Sequence, residues 1–339
     1  MDSVSPQHGG DLTRAIAHWG GKRSDWLDCS ASIASHAYPL PDVPAAVWHD
    51  LPHADAELLA AASSYYGCRL LIAVPGSQAA IRILPTLRRA CCVGIVSPTY
   101  AEHAWQWYKA GHAVREIAPN VVDAHLPDLD VLIIVNPNNP TGMHWPRATL
   151  LNWQATLARH GGWLIVDEAF ADALPQESLV ADAGLPGLIV LRSIGKFFGL
   201  AGLRLGFVAA ENTLLVRLAA ELGPWAISGP AQWAGTLALQ DFGWHENQRQ
   251  RLADDARWLA TTLAGFGLAP AASLPLLCWC PTTQAPEWQN ALAGQRIWCR
   301  RFEKPAGLRF GPVAARDEFI RQLELASQKI CKTLTETTI

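Results

Sequence analysis

The run Val131-Leu132-Ile133-Ile134-Val135 passes directly into Asn136-Pro137-Asn138-Asn139-Pro140-Thr141-Gly142. Five apolar residues without polar alternation predict a strand buried on both faces. Two prolines and three asparagines then stop it abruptly, as a turn requires. The same figure recurs on either side. Strands are predicted at residues 70–74, 92–96, 113–117, 131–135, 163–166, 188–191 and 205–209. The helical stretches 78–89 and 147–160 between them are long enough for crossover connections. The expected architecture is α/β, with a mostly parallel seven-stranded sheet between helices.

Beyond residue 230 the texture changes. Residues 231–240 and 246–263 read as helices, 274–280, 297–302 and 307–310 as short strands, and 315–334 as a closing amphipathic helix. This predicts a large domain over 45–228 and a small α+β domain built from 1–44 and 229–339. The first forty-odd residues, with Pro39, Pro41 and Pro44, are expected to drape irregularly over the junction.

Half of the residues are apolar and 17% are charged, with a formal charge of −3 and a pI near 6.4. No basic block accompanies the fifteen tryptophans, which therefore read as packing residues; nucleic acid is not an expected partner. No apolar run reaches the roughly eighteen residues of a membrane span, and Met1–Gly10 lacks the apolar core of a signal peptide. The eight cysteines form no C-x-x-C pair, which suits reduced thiols and a cytoplasmic protein. His103, His112 and His125 lack metal-ligand spacing, so no metal site is expected. Neither a G-x-x-x-x-G-K-[ST] loop nor a G-x-G-x-x-G turn is present.

Ligands of open α/β sheets bind outside the carboxyl ends of the strands. The segments just past the predicted strands are therefore candidate sites: Pro75-Gly76-Ser77-Gln78, Ser97-Pro98-Thr99-Tyr100, the 136–142 turn, Asp167-Glu168, and Ser193-Ile194-Gly195-Lys196. Lys196 is one of six lysines and alone sits in an apolar, glycine-rich context. Desolvation there would lower its pKa, as a Schiff-base amine needs. Taken alone it reads first as a lysine snorkelling from a strand end. Ser193 and Arg204, which could both address a phosphate, change that balance. Asp167 reads as a helix cap or as a buried carboxylate wanting a cationic partner; a pyridinium nitrogen is one such partner. Gly76-Ser77-Gln78 puts free backbone N–H groups at a helix start, a ready anion site.

Together, the 136–142 turn, Asp167-Glu168-Ala169-Phe170, Ser193-Ile194-Gly195-Lys196 with Arg204, and Leu308-Arg309-Phe310-Gly311 resemble the signature series of the class I/II aminotransferases of pyridoxal-phosphate (PLP) fold type I. The resemblance implies that Lys196 carries PLP as a Schiff base and shuttles protons. It implies that Asp167 pairs with the pyridine nitrogen, Asn139 bonds the phenolic oxygen and Tyr100 stacks on the ring. Gly76, Ser77, Gln78, Ser193 and Arg204 would hold the cofactor phosphate, and Arg309 the substrate α-carboxylate. Tyr65 matches a tyrosine that reaches the phosphate from a neighbouring subunit, implying a homodimer with shared sites. Phe170 stands where many aminotransferases have Tyr.

His8-Gly9-Gly10-Asp11 followed by Leu27-Asp28-Cys29-Ser30-Ala31-Ser32-Ile33 is similar to the "HGG…LDFSANI" opening of threonine-phosphate decarboxylases of cobalamin biosynthesis. Ser32 stands where many of them have Asn. This likeness implies decarboxylation of a phosphorylated amino acid, L-threonine O-3-phosphate, to (R)-1-amino-2-propanol O-2-phosphate. His8 and one of Arg300 or Arg301 are candidates for the substrate phosphate. Histidinol-phosphate aminotransferases share the cofactor series and are the alternative; a non-catalytic PLP-binding regulator is a further one.

Overall fold

The computed structural model describes residues 9–52 and 56–337. Along the chain come α1 (Leu12–Trp19), β1 (Leu27–Asp28), α2 (Ala45–His49), α3 (Ala56–Tyr66), β2 (Leu71–Val74), α4 (Ser77–Ile83), β3 (Cys92–Val96), α5 (Glu102–Lys109) and β4 (Ala113–Ile117). Next are α6 (Val122–His125), β5 (Val131–Val135), α7 (Arg147–Ala158), β6 (Trp163–Asp167), β7 (Leu188–Ser193), β8 (Gly206–Ala210), α8 (Asn212–Leu222) and α9 (Gly229–Gln240). The remainder holds α10 (Phe242–Gly265), β9 (Ala272–Leu274), β10 (Leu277–Pro281), α11 (Ala285–Gly294), β11 (Ile297–Trp298), β12 (Arg300–Glu303), β13 (Ala306–Phe310) and α12 (Arg316–Thr337).

The chain divides into two compact units. The first comprises Ala37–Asn139 and Met143–Asn247, and the second 9–36, Pro140–Gly142 and 248–337. The first unit is built on a seven-stranded sheet of order β2-β8-β7-β6-β5-β3-β4. Its strands pair in parallel from β4 through β7, while β8 runs antiparallel to both β7 and β2. Every residue of β5, β6, β7 and β8 is buried, which is why these runs carry no polar alternation. At the edge, β4 exposes Arg115 and Glu116, charges that discourage further strand pairing.

The helix expected over 78–89 stops at Ile83 and tightens into a 3-10 turn over Leu84–Leu87. Pro85 causes this, since it has no N–H to continue the α-helical ladder. The division also falls later than the expected boundary at 228/229: α9 and the start of α10 lie in the first unit. There α9 packs on α3, closely enough that a Cβ on Gly235 would lie 3.0 Å from Leu58 Cδ1.

In the second unit β12-β13-β10-β9 form an antiparallel sheet, and β1 pairs in parallel with β11. The early segment is thus more regular than expected. It contains α1, with Asp11 accepting from the Arg14 N–H at 3.3 Å, and one strand. The single strand expected over 274–280 is a hairpin, broken at Pro275-Leu276. The run 297–302 divides at Cys299 between two different sheets. Leu263, Leu292, Leu308, Phe310, Phe319 and Leu323 fill the core of this unit beside the buried thiols of Cys278, Cys280 and Cys299. Among the described residues, no helix is long and apolar enough to cross a membrane.

Candidate active site

Strand direction gathers the first group of site residues at one end of the sheet. Val74, the last residue of β2, is opposite Gly206, and Gly206 is opposite Ser193, the last residue of β7. Because β8 is antiparallel, it begins where its neighbours finish. Arg204, two residues before β8, therefore reaches the rim that β2, β3, β5, β6 and β7 reach with their carboxyl ends. It does so in a left-handed backbone conformation, φ 54°, costly for a side chain with a Cβ. Gly76 also has positive φ, 71°, and a Cβ there would lie 2.7 Å from Arg204 Nη2. Glycine is what allows the start of α4 and the guanidinium to approach this closely.

Lys196 lies three residues past the end of β7 and is half-buried, with Nζ 5.8 Å from the centre of the Phe170 ring. The aromatic at 170 thus offers the ammonium a ring face. Ser193 is buried within β7 rather than beyond it, and its Oγ accepts from the Gly195 N–H at 3.2 Å.

Asp167 closes β6 and is 4% exposed. Its Oδ1 accepts from the Ala169 N–H at 3.0 Å, and its Oδ2 lies 2.9 Å from Nε2 of His103, which is itself buried on α5. His103 belongs to this site although its sequence context suggested nothing beyond an isolated histidine. The usable signal was its position on the helix just past Tyr100. Next in the chain, Glu168 turns away to Arg192: Arg192 Nη1 is 2.6 Å from Glu168 Oε2, and Nη2 is 2.5 Å from Asp172 Oδ1. This buried cluster ties the ends of β6 and β7, and so the backbone that carries Asp167 and Ser193. Burial pushes the Glu168 carboxyl up, against the opposing pull of Arg192.

Asn138 stitches two rim loops together. Its Oδ1 accepts from the Thr99 hydroxyl at 2.7 Å, and its Nδ2 donates to the Pro98 carbonyl at 2.9 Å. Asn136 binds the Trp145 backbone through both ends of its amide, at 2.8 and 3.3 Å. The asparagines beside Asn139 are therefore structural ties that hold Asn139 and Tyr100 at the rim. Tyr100 is half-buried, its ring 6.1 Å from that of His103. Burial, aided by Glu102 and Asp167 and opposed by Arg204, pushes the Tyr100 phenol up. Tyr65 lies in an aromatic cluster, with ring centres 4.6 Å from His245 and 5.8 Å from Phe198.

The second unit carries its own group. Arg309 on β13 is buried, and its Nη2 donates to the Ser30 carbonyl. Burial, reinforced by Arg300, draws its pKa down to about 10. Arg300 stands directly opposite Arg309 in the β12–β13 register, and both guanidiniums lie over Phe302, at 5.5 and 5.9 Å. Burial together with Arg14 and Arg301 draws Arg300 down as well. Strand alternation puts Arg301 on the other face, opposite Leu308 and 3.7 Å from Glu303. The two arginines that the sequence offered as equals are thus separated. Gly9 and Gly10 reach this group: the Gly10 N–H donates to Ser30 Oγ at 2.8 Å, and a Cβ on Gly9 would lie 3.3 Å from Arg309 Nη2. Ser32 is buried with φ 51°, and its Oγ has no partner among the described residues. Asn tolerates that backbone better than Ser does. His8 lies outside the described residues. No group of three or more His, Cys, Asp or Glu among the described residues could hold a metal.

The chain is 47% identical over 305 residues to a threonine-phosphate decarboxylase of Pseudomonas aeruginosa, covering 90% of this chain and 92% of that one. It is 41% identical over 319 residues to a threonine-phosphate decarboxylase of a Sinorhizobium species, covering 91% and 95%. The fold is similar to that of histidinol-phosphate aminotransferase from Sinorhizobium meliloti in complex with pyridoxal-5'-phosphate. That match has a TM-score of 0.78 at 18% identity and covers 98% of this chain and 96% of the other. Residues 50–323 match the family described as aminotransferase class I and II, and the chain belongs to that family.

Proposed function

We propose that this chain is a PLP-dependent decarboxylase that converts L-threonine O-3-phosphate to (R)-1-amino-2-propanol O-2-phosphate for cobalamin biosynthesis. The observation that carries the reading is the cross-strand pair Arg300–Arg309, two guanidiniums on one face of the same sheet. Arg300 helps burial draw the Arg309 pKa down, so the place gains from an anion, and a substrate with both a carboxylate and a phosphate supplies two. The likeness to two threonine-phosphate decarboxylases over about nine-tenths of the chain supports the same choice.

The residues of the first unit fit PLP. Gly76 and Arg204 come within a distance that leaves no room for a Cβ, as a phosphate cradle of backbone N–H groups and a guanidinium requires. Asp167 is a buried carboxylate held by one histidine. The cofactor phosphate would be held by Ser77, Gln78, Ser193 and Arg204, the phenolic oxygen by Asn139, and the ring face by Tyr100. When bound, PLP supplies a sink for the electron pair left on Cα as carbon dioxide departs.

Asp167 would offer a carboxylate to the pyridine nitrogen, and His103 would keep its oxygens in place. Lys196 Nζ would hold the cofactor and later the proton that Cα receives. Arg309 would clamp the α-carboxylate in a bidentate fork. Arg300, with His8 and the backbone near Ser32, would take the substrate phosphate. The carboxylate and phosphate anchors together would fix the rotation about N–Cα, and that rotation decides whether the carboxylate or the hydrogen leaves. The family resemblance supports a cytoplasmic homodimer in which Tyr65 reaches the phosphate held by the partner.

Release of carbon dioxide from carboxyl-labelled L-threonine phosphate by the purified, PLP-loaded protein tests this reading. Glutamate-dependent amine exchange without carbon dioxide would replace it with an aminotransferase of phosphorylated substrates such as histidinol phosphate.

A further inference from the structure

Glu102 is a buried carboxylate, 5% exposed, in the first turn of α5. Its Oε2 accepts from Gln78 Nε2 at 2.7 Å and from Gln106 Nε2 at 2.9 Å. Gln78 lies in the first turn of α4, and its Oε1 accepts from the Tyr100 hydroxyl at 3.1 Å. A carboxylate beside residues that would hold a phosphate works against anion binding, and burying it is costly. Its benefit must lie in something other than affinity.

The two ends of an amide have nearly the same shape, so the groups it faces decide its orientation. An ionised carboxylate only accepts. Gln78 must therefore turn its NH2 to Glu102, which leaves its carbonyl end for Tyr100. The phenol has a single hydrogen and gives it to that carbonyl.

We propose that Glu102 is a positioning residue for Tyr100, acting through Gln78: it makes the Tyr100 hydroxyl a donor to the protein. Tyr100 then meets the cofactor as an anchored ring and an acceptor oxygen, not as a source of protons. Proton delivery is left to Lys196. The inference rests on the reading that the first unit holds PLP under Tyr100, but on no particular substrate. Without Glu102 the Gln78 amide can turn over, presenting N–H to the phenol oxygen and freeing the phenol hydrogen and the ring.

The test is a double-mutant cycle between Glu102→Gln and Tyr100→Phe, read as visible circular dichroism per bound PLP with no substrate present. That signal reports how the cofactor is held in its asymmetric surroundings. Each single variant is expected to lower it at least twofold, and the double variant no further than Tyr100→Phe alone, because both act through one hydroxyl. A Glu102→Gln signal equal to wild type, or a further loss of the same size in the Tyr100→Phe background, overturns the proposal. Should Glu102→Gln fail to fold, the same cycle with Gln78→Met decides, since Glu102 then keeps Gln106. Absence of a visible band in the wild type would sink the cofactor reading and this inference with it. A normal band without carbon dioxide release would sink the substrate alone and leave the cycle valid.

Discussion

His103 Nε2 lies 2.9 Å from Asp167 Oδ2, and both side chains are buried, 64 residues apart in sequence. A buried acceptor that loses its partner costs about 1–3 kcal/mol, roughly 5–150-fold in a rate that depends on it. His103→Leu is therefore expected to lower kcat by a factor in that range while the apoprotein stays folded. Steady-state kinetics beside an unfolding curve would show it, and an unchanged kcat would remove His103 from the site.

Arg300 and Arg301 should behave differently despite being neighbours. Arg300→Ala removes a charge-assisted contact worth about 1.5–3 kcal/mol, so KM for threonine phosphate should rise roughly 10–150-fold. Arg301→Ala should change it by less than about threefold, as befits an exposed pair with Glu303. Equal effects of the two would contradict the placement of the phosphate on the Arg309 face.

Arg309 binds fewer protons folded than unfolded, because its folded pKa, about 10, lies below the ordinary 12.5. Its charge therefore costs stability at neutral pH, and that cost falls as pH rises through about 10. The shift corresponds to roughly 3 kcal/mol as an upper bound. Arg309→Met is expected to raise the unfolding midpoint of the cofactor-free protein while lowering kcat/KM at least about a hundredfold, the worth of a lost bidentate clamp. A midpoint that falls by several degrees would show that its bond to Ser30 outweighs the cost of burial.

Arg192 should be the opposite case. Removing it leaves Glu168 and Asp172 buried without their shared cation, a loss of about 3–5 kcal/mol. Glu168→Gln should be milder. Burial raises the Glu168 pKa, so the stability it contributes is present at low pH and lost as pH rises beyond the ordinary carboxylate range. At neutral pH an uncharged amide there avoids that cost. Urea unfolding of Arg192→Met and Glu168→Gln at pH 7 would rank them, and equal losses would refute the argument.

Lys196→Ala should keep its fold yet form no Schiff base, so that borohydride reduction fixes no PLP to the chain. It should lose at least about four orders of magnitude in activity, as expected when a covalent nucleophile is removed. Retained turnover in that variant would exclude Lys196 as the amine that holds the cofactor.

Much of this protein is set by local sequence alone. The apolar runs 131–135, 163–166 and 188–191 read as strands buried on both faces, because they carry no polar residue that could face water. The residues after them had to lie at one end of a mostly parallel sheet, which already grouped Asn139, Asp167 and Lys196. Pro85 and Pro275 stand inside runs read from the sequence as one helix and one strand, and the breaks they make emerged only in the folded chain.

The tertiary structure decided the pairings that depend on register and on contacts across tens of residues. Strand alternation separated Arg300 from Arg301, yet only the β12–β13 register set Arg300 against Arg309. His103 met Asp167, and Glu102 reached Tyr100 through Gln78, only because α4 and α5 start at the same rim. A histidine or a glutamate on a helix carries no local mark of the group it will face. Burial makes such a contact energetically decisive, and burial is a property of the whole fold.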